Sequence, residues 1–151
     1  MNGQGAVEGV FVTATSGGTV ERRDEVDALA GRGLRGDRHC KEQPSDAGDD
    51  VTLIEREALD AIRRESGIEL APGEHRRNVE TRDVALNHLV GERFRVGDAV
   101  CRGVELCEPC NHLQQMTEDG VLQALLHRGG LRAEIVEGGT IRSGDAVVSL
   151  D

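Results

Sequence analysis

The sequence predicts a mostly-β fold with a few helices, arranged as a barrel or a sandwich. Short segments rich in β-branched residues recur along the 151 residues, and turns that use many of the 20 glycines separate them. Few segments show the spacing of an amphipathic helix. Aromatic residues are two Phe with no Tyr or Trp, so we expect a core of Val, Leu, Ile and Ala. The length suits one domain, residues 1–151.

The first half of the chain alternates strands with loops. Residues 7–14 (VEGVFVTA) predict a first strand, and residues 19–26 a second one after a glycine turn. Residues 41–50 (KEQPSDAGDD) are typical of an exposed loop. Residues 51–54 predict a buried strand. It leads into a helix over residues 55–66, where Ala58, Leu59 and Ile62 share one face and Gly67 forms the stop.

The second half contains the clearest hairpin. Residues 77–81 predict a strand, and Asp83 is expected to cap a short helical turn that ends at Gly91. Alternation over residues 93–106, interrupted at Gly97-Asp98, predicts two paired strands.

A last helix and strand are predicted near the C-terminus. Asp119 is expected to cap a helix that ends before Gly129. Residues 131–136 then alternate as a strand, and short closing strands follow.

Charge and composition exclude several classes of protein. The formal net charge of −10 disfavours nucleic-acid binding, because the field of the chain repels a phosphate polyanion. No apolar run of about 18 residues exists, so no membrane-spanning helix is predicted. Residues 1–5 lack the features of a secretory signal, so we expect a cytoplasmic protein. In that compartment the four cysteines are not expected to form a disulfide scaffold.

The clearest chemical motif is residues 106–113 (LCEPCNHL), which follows a predicted strand and contains Cys107 and Cys110. A thiolate at the end of a strand can bind a soft metal or carry sulfur. The spacing also permits zinc with His112 as a third ligand, although structural zinc usually takes four ligands. A partly buried thiol without chemistry is the alternative.

Three arginine-containing segments are further candidates. Residues 72–78 (PGEHRRN) offer two Arg and one Asn, donors that suit an anion or the edge of a heterocycle. Residues 33–39 (GLRGDRH) place Asp37 where a salt bridge would orient Arg38 or Arg35. Residues 127–132 (HRGGLR) fit the end of a helix with basic residues. Ordinary solvated turns and loops are the alternative for all three.

Together these segments resemble the MOSC domain family, named for the C-terminal domain of molybdenum cofactor sulfurase. The resemblance covers about residues 7–148. It rests on GLRGDRH (33–39), VTLIEREALDAI (51–62), PGEHRRNVETRDVALNHLVGERFRVGDAV (72–100), LCEPCNHL (106–113) and HRGGLRAEIVEGGTIRSGDAV (127–147). It implies a closed, mostly-β barrel of α+β type with a few peripheral helices, in a single MOSC-like domain.

The resemblance also implies a site for a molybdopterin cofactor. Cys110 matches the family's cysteine, which is proposed to carry sulfur or to bind the molybdenum, and Cys107 is not expected to be equivalent. Arg76 and Asn78 match an R-x-N motif that meets the cofactor in family reductases. Arg38, preceded by Asp37, matches an arginine that reaches the cofactor.

The sequence departs from the family pattern at one cofactor contact. Family reductases have a Lys-Ser pair after the first strand, where this chain has Thr15-Ser16, so Ser16 is expected to bind the cofactor without the lysine. The additional barrel, ferredoxin and cysteine desulfurase domains of larger members have no counterpart in these 151 residues. We therefore expect function independent of pyridoxal phosphate, with a separate electron donor or cysteine desulfurase as partner.

Three functions follow as hypotheses. A molybdopterin-dependent oxidoreductase would reduce small N-hydroxylated compounds with Cys110 as the molybdenum ligand. A carrier would hold a persulfide on Cys110, or hold the cofactor, and hand it on. A non-enzymatic module would bind zinc or a protein partner through Cys107, Cys110 and His112, without a pterin.

Overall fold

The computed structural model describes residues 4–150. Its strands are β1 (Gly5–Thr13), β2 (Val20–Arg23), β3 (Glu25–Leu29), β4 (Gly33–Leu34), β5 (Val51–Glu55), β6 (Val79–Arg82), β7 (Arg93–Val96), β8 (Ala99–Leu106), β9 (Leu131–Glu137), β10 (Gly139–Arg142) and β11 (Ala146–Ser149). Its helices are α1 (Arg56–Ser66), α2 (Asn111–Met116) and α3 (Val121–Ala124), with a 3₁₀ helix at Leu86–Leu89. The predictions for the extreme N-terminus fall partly on residues 1–3, outside the described part.

Seven strands close into a barrel. In spatial order they are β11, β7, β8, β9, β5, β6 and β1, and the N-terminal end of β1 pairs with β11 to complete the ring. The neighbouring strands are antiparallel except for β5 and β6, which run parallel. The prediction of a closed, mostly-β barrel with a few short helices is confirmed.

Aliphatic side chains fill the barrel, as the composition predicts. Every barrel strand contributes to one buried cluster, in which Phe94 is the largest fully buried side chain. A second cluster packs α1 against α2 and α3 through residues such as Ile62, Leu113 and Val121. This helical cluster fixes the segment that connects β8 to α2, where Cys107 and Cys110 lie.

Two local predictions are confirmed, the β7–β8 hairpin and the end of helix α1. Strands β7 and β8 pair from Val96 with Ala99, so Gly97-Asp98 forms the two-residue turn of the hairpin. Helix α1 ends at Gly67, which has φ 69° and donates its N–H to the carbonyl of Arg63. Glycine is favoured there because it adopts a left-handed backbone without strain.

The predicted second strand, residues 19–26, is wrong as a single element. The chain forms β2 against β1, bends at Asp24, and then forms β3 in a separate three-stranded sheet with β10 and β4. Strand β4 was not predicted, because two residues carry no periodicity. Alternation of apolar residues cannot reveal that a strand changes sheets.

The predicted helix from Asp119 to Gly129 is also wrong in length and cap. Helix α3 covers Val121–Ala124, its N-cap is Gly120, and no side chain caps it. Helix α2 was missed. Asp83 likewise does not cap the turn near residue 88, since the residue preceding the 3₁₀ helix is Ala85. Among residues 4–150, no helix is long and apolar enough to cross a membrane.

Candidate functional site

Loops from distant parts of the chain meet at one end of the barrel and line a pocket of about 200 Å³. They follow β1, β4 and β8 and precede β6. Strand β1 is antiparallel to β6, so the end of β1 and the start of β6 lie side by side. The end of β8 lies beside the start of β9 for the same reason.

The pocket brings together every candidate site residue of the sequence analysis. These are Ser16, Asp37, Arg38, Arg76, Asn78, Cys107, Cys110 and His112. One part of its lining is apolar and consists of Phe11, Val20, Leu113 and Met116. The pocket therefore combines cationic groups, thiols and an apolar wall.

Asp37 shapes the loop that presents Arg38. Its carboxylate accepts hydrogen bonds from the backbone N–H groups of Thr13 at 2.9 Å and His39 at 3.2 Å. The predicted salt bridge from Asp37 to Arg38 or Arg35 is not formed, because backbone N–H groups occupy this carboxylate and Arg35 pairs with Asp27. Arg38 instead donates to Ser16 Oγ at 3.3 Å, and its own N–H binds the carbonyl of Thr13.

Arg76 also lines the pocket, and its backbone conformation is strained. Its φ is 64°, a left-handed conformation that costs a non-glycine residue about 1–3 kcal/mol. Its Nη1 donates to the carbonyl of Gly18 at 3.0 Å, which joins it to the turn that carries Ser16. Strain of this kind persists where the surrounding structure enforces it, and it clusters at functional sites.

Asn78 is buried between two barrel strands. Its Oδ1 accepts from the N–H of Thr52 at 3.1 Å, and its Nδ2 donates to the carbonyl of Phe11 at 3.2 Å. An amide nitrogen carries two hydrogens. Within residues 4–150 the hydrogen bond to Phe11 uses one of them, which leaves the other as a donor for a ligand in the pocket.

The two thiols of the motif occupy different environments. Cys107 is 5% exposed and its Sγ lies 3.9 Å from Arg132 Nη2, whereas Cys110 is exposed and precedes α2. Both thiols are free in this structure.

The structure gives no support to the zinc alternative. Over residues 4–150, no group of three or more His, Cys, Asp and Glu side chains is arranged to hold a metal ion. Cys107, Cys110 and His112 line the same pocket but do not form such a group. Tetrahedral structural zinc would need still another ligand.

Two further arginines of the site lie in candidate segments of the sequence, which gave neither of them a role of its own. Arg77 lies between the predicted Arg76 and Asn78 and is buried, with its guanidinium bonded to backbone carbonyls. Arg132 donates to Glu105 at 2.6 Å and approaches the Cys107 thiol. Alternation along β9 assigns Arg132 to the solvent face, and no pattern in the sequence indicates that this face borders the pocket.

His75 and Glu80 form a buried pair behind the pocket. His75 Nε2 lies 3.2 Å from Glu80 Oε1, and its Nδ1 accepts the N–H of Arg77 at 2.9 Å. Burial lowers the pKa of His75 below its usual value, although Glu80 opposes this effect. The ring of His75 also meets Phe11 edge-on at 5.3 Å, which connects this pair to the pocket wall.

The pocket concentrates uncompensated positive charge. Arg38, Arg76 and Arg77 form no ion pair with any carboxylate of residues 4–150, whereas most other arginines do. Salt screens charges beyond roughly 8–10 Å, so the net charge of −10 does not cancel this local field. Chemically, the site is suited to an anionic ligand with a part that binds sulfur.

The fold and site define a small closed-barrel protein with an arginine- and thiol-lined pocket. The family model of the MOSC domain matches residues 41–148. The chain therefore belongs to the MOSC domain family, and the resemblance seen in the sequence is confirmed. The comparison with curated protein sequences yields no match.

Solved structures share the fold at low sequence identity. The YuaD protein from Bacillus subtilis aligns with a TM-score of 0.78 and 17% identity, over 95% of this chain and 94% of YuaD. YiiM from Escherichia coli gives 0.71 and 18%, over 97% of this chain and 70% of YiiM. YiiM from Geobacillus stearothermophilus gives 0.70 and 13%, over 97% and 75%.

Proposed function

We propose that this protein binds a molybdopterin cofactor in the pocket, with Cys110 as the ligand of its molybdenum. The observation that carries the proposal is the convergence of an exposed thiol with three arginines that lack a carboxylate partner. Guanidinium groups bind phosphate in a bidentate manner, and thiolates prefer soft metals. Membership of the MOSC family supports the same assignment.

The residues present fit such a cofactor. Arg38 and Arg76 would hold its phosphate, and the second amide hydrogen of Asn78 would bind an acceptor on the edge of the pterin. Ser16 accepts from Arg38 and so orients that guanidinium beside the turn. Phe11 and Leu113 line the apolar part of the pocket and would exclude water from a ligand bound there.

The reaction proposed is the reduction of N-hydroxylated compounds. The bound molybdenum would supply the two-electron chemistry, with electrons from a separate donor protein. Cys110 is exposed, so the metal-binding end of the pocket is open to a substrate or a partner.

The first test is the metal content of the protein purified from a host that makes molybdenum cofactor. We expect near-stoichiometric molybdenum or tungsten per chain, together with a fluorescent pterin after oxidative release. Zinc without a pterin, or no metal at all, would overturn the assignment. A chain loaded with molybdenum would then be assayed with N-hydroxylated compounds and a chemical electron donor.

Replacing Arg76 with Gln is expected to lower the affinity for the cofactor about tenfold or more. A hydrogen bond to a charged group contributes roughly 1.5–3 kcal/mol, and glutamine cannot supply the positive charge. Bound pterin per chain at graded cofactor concentrations measures the loss. Arg64→Gln, on the exposed surface of α1, removes the same charge and is expected to leave the affinity unchanged. Equal affinities in the two variants would contradict the phosphate-binding role of Arg76.

A sulfur carrier is the second candidate, because Cys110 is the exposed thiol of the four while the others are buried or half-buried. A persulfide donor would reach Cys110 without opening the fold. Incubation with a cysteine desulfurase and cysteine is then expected to add one sulfur atom to Cys110, detected by peptide mass. A sulfur adduct on Cys40 alone would contradict this function.

A further inference from the structure

The segment that carries both thiols rests against the buried guanidinium of Arg77. Arg77 Nη2 donates to the carbonyls of Cys107 at 2.9 Å and Glu108 at 3.4 Å. Its Nε donates to the carbonyl of Gly129 at 2.8 Å, and its Nη1 to that of His75 at 3.3 Å. One side chain therefore joins three separate parts of the backbone around the site.

The other side of the segment is closely packed against residues 127–130. A Cβ built on Gly129 would lie 2.7 Å from the carbonyl oxygen of Cys107, so only glycine fits there. Glu108 accepts the N–H of His127 at 2.7 Å and contacts its Nδ1 at 2.9 Å. Residues 127–130 (HRGG) therefore pack against the segment that contains Cys107 and Cys110. This role is distinct from that of a simple helix C-terminus.

Arg77 is suited to this role by its fixed geometry. Its guanidinium donates to carbonyls on several sides at once, whereas a lysine ammonium on a flexible stem is not preorganised to do so. The backbone N–H of Arg77 is itself bonded to His75 Nδ1, which anchors the residue from behind.

We propose that Arg77 is the positioning residue of this site. It holds the Cys107–Glu108 backbone against the barrel, and thereby keeps the Cys107 thiol covered and Cys110 at the rim of the pocket. The inference rests on the proposed function only in taking this pocket as the functional site, and it does not depend on which ligand is bound.

The four cysteines allow the role to be tested by thiol alkylation of the metal-free protein. Cys107 and Cys101 are both buried, but Cys101 lies on β8 in the barrel core, at 1% exposure. We expect Arg77→Met to raise the alkylation rate of Cys107 with iodoacetamide by at least about tenfold, because the bonds that hold its backbone are lost. The rate of Cys101 is expected to stay at its native value.

The comparison of the two buried thiols separates positioning from general stability. Unchanged protection of Cys107 in Arg77→Met would overturn the proposal, and so would an equal rise at Cys101 and Cys107. Arg64→Met serves as the matched charge control and is expected to leave both rates unchanged. Should Arg77→Met fail to fold, Arg77→Lys keeps the charge and the apolar stem. Arg77→Lys is expected to expose Cys107 partially, and native protection in it would overturn the proposal.

This experiment and the metal analysis fail independently. Exposure of Cys107 in Arg77→Met, with no molybdenum in the parent protein, would leave the positioning role in place and reject the cofactor. Full molybdenum content in Arg77→Met with Cys107 still protected would reject the positioning role and leave the cofactor in place.

Discussion

Replacing Cys110 with Ser is expected to remove molybdenum from the protein, while Cys107→Ser is expected to retain most of it. Cys110 is exposed at the rim of the pocket, whereas Cys107 is covered and lies beside Arg132. A serine hydroxyl remains protonated near neutral pH and is a hard donor, so it cannot replace a thiolate on a soft metal. Molybdenum per chain in protein purified from a cofactor-producing host measures both effects.

The same comparison contains its own controls. Cys40→Ser changes a half-buried thiol on the loop that follows β4, and it is expected to retain the molybdenum content of the parent. Pterin content, measured with the metal, shows whether the whole cofactor or only the molybdenum is lost. Equal molybdenum in Cys110→Ser and in the parent protein would rule out Cys110 as the ligand.

The sequence predicted correctly those elements of secondary structure that neighbouring residues determine. The β7–β8 hairpin follows from strict alternation around Gly97-Asp98, and the end of α1 follows from the backbone freedom of Gly67. The helix predicted from Asp119 is too long, because a short helix followed by an irregular turn produces the same spacing of buried apolar residues. Its leucine at position 125 is fully buried although it lies outside α3.

The sequence predicted those residues of the candidate site that match family motifs. It did not predict the roles that depend on how distant segments of the chain pack together. Ser16 and Arg38 were assigned separately and form a hydrogen bond across 22 positions of the chain. Arg77 bonds to carbonyls more than 29 positions away, and backbone carbonyls leave no mark in a sequence. Its role could be recognised only after the β8–α2 segment and the Gly129 turn had been placed together.

Lowering the pH below 6.5 is expected to destabilise the fold through His75. Burial holds the pKa of His75 below its usual value of 6.5, so the unfolded chain takes up a proton that the folded chain does not. Stability from this group is therefore fully present above pH 6.5 and is lost as the pH falls. A difference of one proton gives a slope of up to about 1.4 kcal/mol per pH unit in the free energy of unfolding.

The surroundings of His75 explain why its pKa is lowered. Its Nδ1 already accepts the N–H of Arg77, so protonation would replace that hydrogen bond with a repulsive contact. Glu80 opposes this by favouring the charged ring, but Arg56 also contacts Glu80 at 3.3 Å and shares its charge. Burial is the largest cause of the shift, and the charges of Arg77 and Arg56 act in the same direction.

Denaturant unfolding between pH 8 and pH 5 tests this with His75→Gln. Glutamine retains an N–H donor for Glu80 and does not titrate, so the variant is expected to lose the slope that the parent shows below pH 6.5. The other four histidines are exposed, and His88→Gln is expected to keep the parent's slope. An identical slope in the parent and in His75→Gln would assign the acid sensitivity to another group. If only His75→Gln loses the slope, the acid sensitivity belongs to His75, which is also the residue that anchors Arg77 behind the pocket.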